Sequence, residues 1–264
     1  MADSQTVSFS HKKLKESATH LAESQLAAIN GNDVVRIKSI LDESRRELTD
    51  AYRTLSRLAK MEQDLSPAAE WLIDNFYIIQ EQIVQVKVDF PKAYQVSIPA
   101  LTHGEHKGLP RVYELILDYL TLTDNLLDPE VLTTYLKNYQ EIKTLMIGEI
   151  WAIPIMIRLI LIQRLAEKAS RIIYRKNIHK NVQSIIQKLE RTEHKEPGVT
   201  NNVISNWLKN KPREGAHIHL IELYQQLEIA GLLLEDQKRW FNYRFRQLDM
   251  SLEEAMRIEA QKQS

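Results

Sequence analysis

The chain has no cysteine, which excludes disulfides, a thiolate nucleophile and any cysteine-based zinc site, and is compatible with a reducing compartment. Glycine and proline are scarce, seven and eight among 264 residues, and long periodic segments lie between them. That profile suits a helical protein better than a sandwich of short strands. There is no excess of either charge: 35 basic residues balance 35 acidic ones. No overall field therefore draws the chain to nucleic acid or to anionic lipid. The N-terminal stretch lacks both an apolar core and a small-residue cleavage site, so it is not a secretory signal.

Long uncharged runs are missing too. The most apolar stretch, 145–165, reads LMIGEIWAIPIMIRLILIQRL. Its longest run without a charge is eight residues, 150–157. A membrane span needs about 20 mainly apolar residues, and each central charge costs roughly 2.5–3.5 kcal/mol on insertion scales. With Glu149, Pro154 and Arg158 inside it, the stretch reads as a buried helix of a soluble domain.

What remains is a succession of helical patterns. Leu14, Ala18, Leu21 and Leu26 form the apolar side of a helix over 11–29, and Asp33 is placed to cap a second one reaching about Met61. These two make a helical hairpin. Ser66 and Pro67 are an N-cap and a first helical residue for a helix to about Val88. On it Leu72, Phe76, Ile79, Ile83 and Val86 form a core stripe, while Glu70, Asp74, Tyr77 and Glu81 form a second, carboxylate-rich stripe. That stripe is read either as a solvated face or as a polar face that meets a basic partner. Residues 89–110 hold three prolines and two glycines and read as an extended connection. Its His103 and His106 are two ligands without companions, hence loop histidines rather than a metal site.

Further helices follow over 110–122, 129–143, 145–171 and 171–191. Glu196-Pro197-Gly198 reads as the clearest linker. Beyond it come a short helix capped by Thr200 or Asn201 and stopped by Pro212, then helices over 214–230, 236–248 and 251–263. Ser251 to Glu254 is a capping box. The expected fold is an all-α bundle of about nine or ten helices with no sheet. Its expected parts are a hairpin (1–64), a central core (65–193) and a small helical segment (194–264). The helical pattern runs to the end of the chain with no stop signal, as expected of a piece of a longer protein.

The central helix, apolar on all sides, is expected to be buried on all sides. Glu149 and Arg158 are nine residues apart, about 180° around a straight helix, so each needs its own partner. An unpaired buried charge is too costly to leave alone. Arg158 is therefore expected to meet an acid of the Glu70/Asp74/Glu81 stripe, and Glu149 to meet Arg111 or a backbone cap. Loss of the Arg158 side chain is expected to be strongly destabilising.

Catalytic signatures are absent. There is no phosphate-binding glycine loop, no G-x-S-x-G, no H-E-x-x-H, no E-x-x-H repeat and no D-x-D. Gln237-Lys238-Arg239-Trp240 is one residue short of the Q-x-x-R-W of processive glycosyltransferases. The basic and aromatic residues of 238–246 read as an amphipathic helix, although such a composition can also touch phosphate or lipid headgroups.

Several segments nevertheless resemble one family. SPAAEWLIDNF (66–76), EQI (81–83), GLPRVY (108–113) and IGEIWAIPIMIRL (147–159) are similar to the N-terminal region of the cyclic β-1,2-glucan synthases. Thr123-Asp124 and Tyr139-Gln140 also fit. The good match covers about 65–167 and weakens beyond. Leu122 stands where a histidine is expected and Gln163 where a glutamate is, which leaves those two side chains without a transferred role.

The resemblance implies a helical region that precedes the membrane spans, the UDP-glucose-dependent glycosyltransferase domain and the phosphorylase-like region of a bacterial inner-membrane enzyme. On that basis the chain lies at the cytoplasmic face, and its partner is the downstream glycosyltransferase domain. Contact with glucan or UDP-glucose is possible in principle. Neither a catalytic residue nor a cofactor nor a metal is implied for this part. Glu70, Trp71, Asp74, Asn75, Glu81, Arg111, Tyr113, Glu149, Trp151 and Arg158 are the candidates for a structural or docking polar network. Two functions stay open. One is a noncatalytic module that positions or regulates a glycosyltransferase; the other is a saccharide- or nucleotide-sugar-binding part of the active machinery. Charges converging on an open cleft favour the second, and charges paired in a closed core favour the first.

Overall fold

The computed structural model describes residues 11–29, 35–62, 64–191, 197–209 and 216–261. Asp33 and Pro212, read above as a cap and a stop, lie outside them. So do Glu196 of the linker and residues 262–264. Among the described residues there are twelve helices and one two-stranded ribbon. The all-α class holds, with more helices than nine or ten and with a minimal sheet where none was expected. The chain forms two compact units, Met1–Arg171 and Ile172–Ser264.

In the first unit, α1 (His11–Ser24) packs on α6 (Arg111–Leu122) and α7 (Pro129–Gln140). Its buried residues Leu14, Ala18 and Ala22 follow the helical period. The helix stops at Ser24 rather than running to Ile29, because the chain turns extended: β1 (Ala27–Ala28) pairs antiparallel with β2 (Ala100–Leu101). The Thr102 N–H donates to the Leu26 carbonyl at 2.9 Å. Gln25 is thereby buried and Leu26 left exposed, the reverse of the periodic reading.

The helix expected over 67–88 is two. Ser66 caps α3 (Pro67–Asp74), its hydroxyl accepting the Ala69 N–H at 3.4 Å, with Pro67 in the first turn. At Asn75 the backbone leaves helical values (φ −101°, ψ 8°), and α4 (Phe76–Asp89) starts afresh. The Asn75 amide donates to the Trp71 carbonyl at 2.8 Å and so serves the end of α3. Both helices pack on α2 (Val35–Lys60), where Tyr52 stacks on Phe76 with ring centroids 4.1 Å apart. The connection after Asp89 contains a short helix, α5 (Lys92–Ser97), that the prolines had concealed.

Helix α6 is the most evenly buried element of this unit; Val112, Leu115, Ile116, Tyr119 and Leu120 are all inaccessible. Asp128 caps α7 by accepting the N–H groups of Glu130 and Val131 at 2.8 and 3.0 Å. The two helices expected over 145–191 are one, α8 (Ile147–Glu190), which continues through Pro154. Nothing near 171 breaks a helix: no glycine or proline lies between 154 and 190. Its opening turns are not buried all round. Ile147, Ile150 and Trp151 are exposed, while Ala152, Ile153, Met156, Leu159 and Ile160 are buried. An apolar side chain can face water, since there is too little polar surface to cover a protein.

The second unit holds the rest of α8 with α9 (Pro197–Lys209), α10 (Ala216–Ile229), α11 (Glu235–Arg246) and α12 (Leu252–Gln261). Pro197 opens α9, as proline does at a first helical turn. Phe241, Phe245, Leu223, Leu227, Val182 and Ile204 form its core. The basic-aromatic helix α11 buries Phe241 and Phe245, and Arg244 lies 5.5 Å over the Trp240 ring. Lys238 and Arg239 pair with Glu235 and Asp236 one turn back. Ser251 accepts the Glu254 N–H at 3.0 Å and caps α12.

Candidate functional site

The charges of the family-like motifs divide into a closed network, a surface pair and a solvated stripe. The closed network centres on Glu149, which is 0% exposed, and Arg111, 9% exposed. Glu149 Oε1 accepts Arg111 Nε at 2.6 Å, and Oε2 accepts Arg111 Nη2 at 2.6 Å. Oε2 also accepts the Met146 N–H at 2.8 Å. One carboxylate thus forms a fork with a guanidinium and caps the helix that carries it, meeting both alternatives read from the sequence. Arg111 Nη2 also donates to the Thr144 carbonyl at 2.8 Å. The hydrogen bonds to the Glu149 carboxylate raise the already high guanidinium pKa further.

Around this fork lie further residues, among them Gln25, Glu114 and Lys143, which no motif had singled out. Tyr139 donates to Gln25 Oε1 at 2.6 Å, and Gln25 Nε2 donates to Glu114 Oε2 at 2.8 Å. Gln25 Nε2 also reaches the Arg111 carbonyl at 3.3 Å, and Lys143 Nζ donates to the Gln25 carbonyl. Burial lowers the Lys143 pKa, with Arg111 adding to the effect. Gln25 therefore ties the end of α1 to α6, α7 and the turn before α8. A second cluster joins the same helices: Ser17 and Tyr135 both donate to Asp118 Oδ2, at 2.7 and 2.5 Å. Tyr113 donates to Gln163 Oε1 at 2.9 Å, which gives the departure at Gln163 a structural role as acceptor.

Arg158 does not meet the Glu70/Asp74/Glu81 stripe. Its Nη1 donates to Asp89 Oδ2 at 2.8 Å, with the two side chains 31% and 28% exposed. Asp89 lies at the end of α4, beyond the acids of the stripe, and also accepts Gln85 Nε2 at 2.7 Å. These hydrogen bonds, Arg158 first, hold its carboxyl below the usual range. The reach of Arg158 was legible, but its partner depended on where α4 ended against α8. Glu70, Asp74 and Glu81 are exposed on one face of α3 and α4, beside Trp71 and Tyr77. The stripe is a solvated face. Asn75 is a helix-end residue, and Trp151 points away from the network, 70% exposed.

Chemically, the fork is closed. Glu149 accepts three strong hydrogen bonds and is wholly shielded from solvent, out of reach of the proton of a substrate. Among the described residues no group of three or more His, Asp or Glu side chains could hold a metal ion. His103 is bonded to Thr102, and His106 packs on Tyr113. In the second unit Glu259 gathers Arg175 and His217, and His179 meets Glu222, again as pairs between helices. No described helix is long and apolar enough to cross a membrane.

The chain is thus a helical protein in which charges of the family-like motifs pair between its own helices. No family model matches the chain. It is similar to the cyclic beta-(1,2)-glucan synthase NdvB of Rhizobium meliloti (strain 1021), 29% identical over 183 residues. That match takes in 69% of the chain but 6% of the synthase. The resemblance seen in the motifs thus extends over most of the chain, which spans a small part of the relative it matches.

Proposed function

We propose that the chain is a noncatalytic helical module of an enzyme of cyclic β-1,2-glucan synthesis, which positions or regulates a glycosyltransferase domain that uses UDP-glucose. On this reading it sits at the cytoplasmic face of the bacterial inner membrane, as part of a larger synthase, and needs no cofactor of its own. The observation that carries the reading is the buried Arg111–Glu149 fork: Glu149 of the longest motif turns inward onto Arg111 to brace helices, and the motif's other charge, Arg158, is paired with Asp89. Similarity to a glucan synthase supports the link to glucan synthesis. Titration calorimetry of the purified chain with UDP-glucose should give no binding heat. Incubation with UDP-glucose should release no glucose and transfer none. Glucose release abolished by Glu70→Gln, Asp74→Asn or Glu149→Gln would overturn the proposal.

One observation supports saccharide binding as a second reading. Tyr77, 68% exposed, shares its helix face with Glu81 and follows Asp74 and Glu70, and aromatic rings beside carboxylates suit sugar rings and hydroxyls. Calorimetry with linear β-1,2-glucans tests it. Binding that Tyr77→Ala removes would favour this reading over the scaffold.

A further inference from the structure

The opening turns of α8 present an apolar face that no described residue of the first unit covers. Ile147 and Trp151 are 69% and 70% exposed, and Ile150 and Met146 are 43% and 46% exposed. Positions 147, 150, 151 and 154 fall on one side of the helix, and Pro154 is exposed there too. Ile142, in the turn before the helix, is exposed as well. The face is held rigidly from beneath. Glu149 is anchored in the buried fork, and the Tyr94 hydroxyl donates to the Gly148 carbonyl at 2.6 Å. A contiguous exposed apolar patch on a fixed backbone is the mark of an interaction site.

We propose that this face docks an apolar protein surface of a further domain of the same polypeptide, an inference that rests on the module reading above and locates its contact. Three observations choose this occupant. The first is charge. A face that lies on an anionic membrane needs free cations beside it. Here the neighbouring Lys143 is bound to the Gln25 carbonyl and Arg158 to Asp89. The second is area. With an aromatic side chain offering ~150–250 Å² and the aliphatic ones less, the patch exposes on the order of 500 Å². That is short of the roughly 800 Å² per partner of a stable free complex, so two separate copies would associate poorly. A tethered domain, at an effective concentration of the order of millimolar, is held by such a contact. The third is length: the matched stretch is 6% of the related synthase, most of whose polypeptide lies elsewhere.

The test uses the complete polypeptide that carries the chain, in its native membranes, with Trp151→p-benzoylphenylalanine as a photo-crosslinker. Illumination should give crosslinks within one polypeptide, from position 151 to a domain outside the 264 residues. The same probe at exposed Lys168 should give several-fold less. Crosslinks chiefly to lipid, chiefly between two copies, or none above the Lys168 level would each overturn the proposal. Assay of β-1,2-glucan in the same membranes separates it from the reading beneath it. Intramolecular crosslinks without glucan leave the docking face standing and remove the synthase role; glucan without such crosslinks does the reverse.

Discussion

Glu149 accepts three hydrogen bonds while wholly buried, and Arg158 donates to one carboxylate at the surface; the difference in setting decides what each is worth. Removing one partner of a buried pair typically costs about 3–5 kcal/mol, whereas an exposed pair contributes under about 1 kcal/mol. Arg111→Met and Glu149→Gln should therefore lower the urea midpoint sharply. Arg158→Met should barely move it, and Lys168→Met, an exposed control, should not. The strong effect expected of Arg158 from its apolar surroundings belongs to Arg111, because the neighbours of Arg158 leave it a third exposed.

The same burial sets an alkaline limit. Desolvation pushes the Tyr139 hydroxyl from its ordinary 10.0 up to about 12, with Arg111 opposing the rise. Burial also raises Tyr135, and the Asp118 carboxylate that accepts its hydrogen bond raises it further. A raised folded-state value means the neutral phenol is the form the fold prefers. Its contribution is complete below the unfolded value and is lost as pH rises toward the folded one. Stability should hold to about pH 10 and fall from there through about 12. Tyr139→Phe should flatten that fall at the cost of the Gln25 hydrogen bond, both readable from urea midpoints against pH.

At the scale of elements, α8 shows how close packing shapes a motif. A Cβ built on Gly148 would lie 3.1 Å from Ile98 Cγ2 and 3.7 Å from a Tyr94 ring carbon. The glycine in I-G-E-I-W is thus there for approach to α5 rather than for an unusual backbone angle. Gly148→Ala gains helix propensity and asks Ile98 to yield a few tenths of an ångström, so its net effect should be small. Gly148→Leu overfills the site and should cost about 1–3 kcal/mol in chemical denaturation. Pro154 sits on the exposed side of the same helix, where the carbonyl it leaves unpaired can be hydrated. Helix ends were harder to read than helix interiors. At Ser24 and Asn75 the helical period continues in the sequence, and the break comes from contacts made elsewhere: the pairing with Ala100–Leu101, and the Asn75 amide turned back on α3.

For the molecule as a whole, two cores of aliphatic and aromatic side chains carry the fold, with hydrogen-bonded pairs between helices fixing their register. The far-ultraviolet circular dichroism should be that of an all-helical protein, because the ribbon involves two residues per strand. A substantial strand component would contradict the architecture.

The sequence by itself determined the helical class, most of the core stripes, the caps at Ser66, Asp128 and Ser251, and the need of Glu149 for a buried partner. These follow from local rules: a 3.6-residue period, a side-chain acceptor at a helix start, and the cost of an unpaired buried charge. Its motifs also carried the likeness to the glucan synthases. Only the tertiary structure decided that Arg158 meets Asp89, that Gln25 and Tyr139 complete the network, and that Ile147 and Trp151 face outward. Each of these depends on where one helix stops against another, at contacts up to 118 residues apart in the chain. Periodicity assigns a side chain to a face of its helix, but what that face meets, protein or water, is set by how the helices pack.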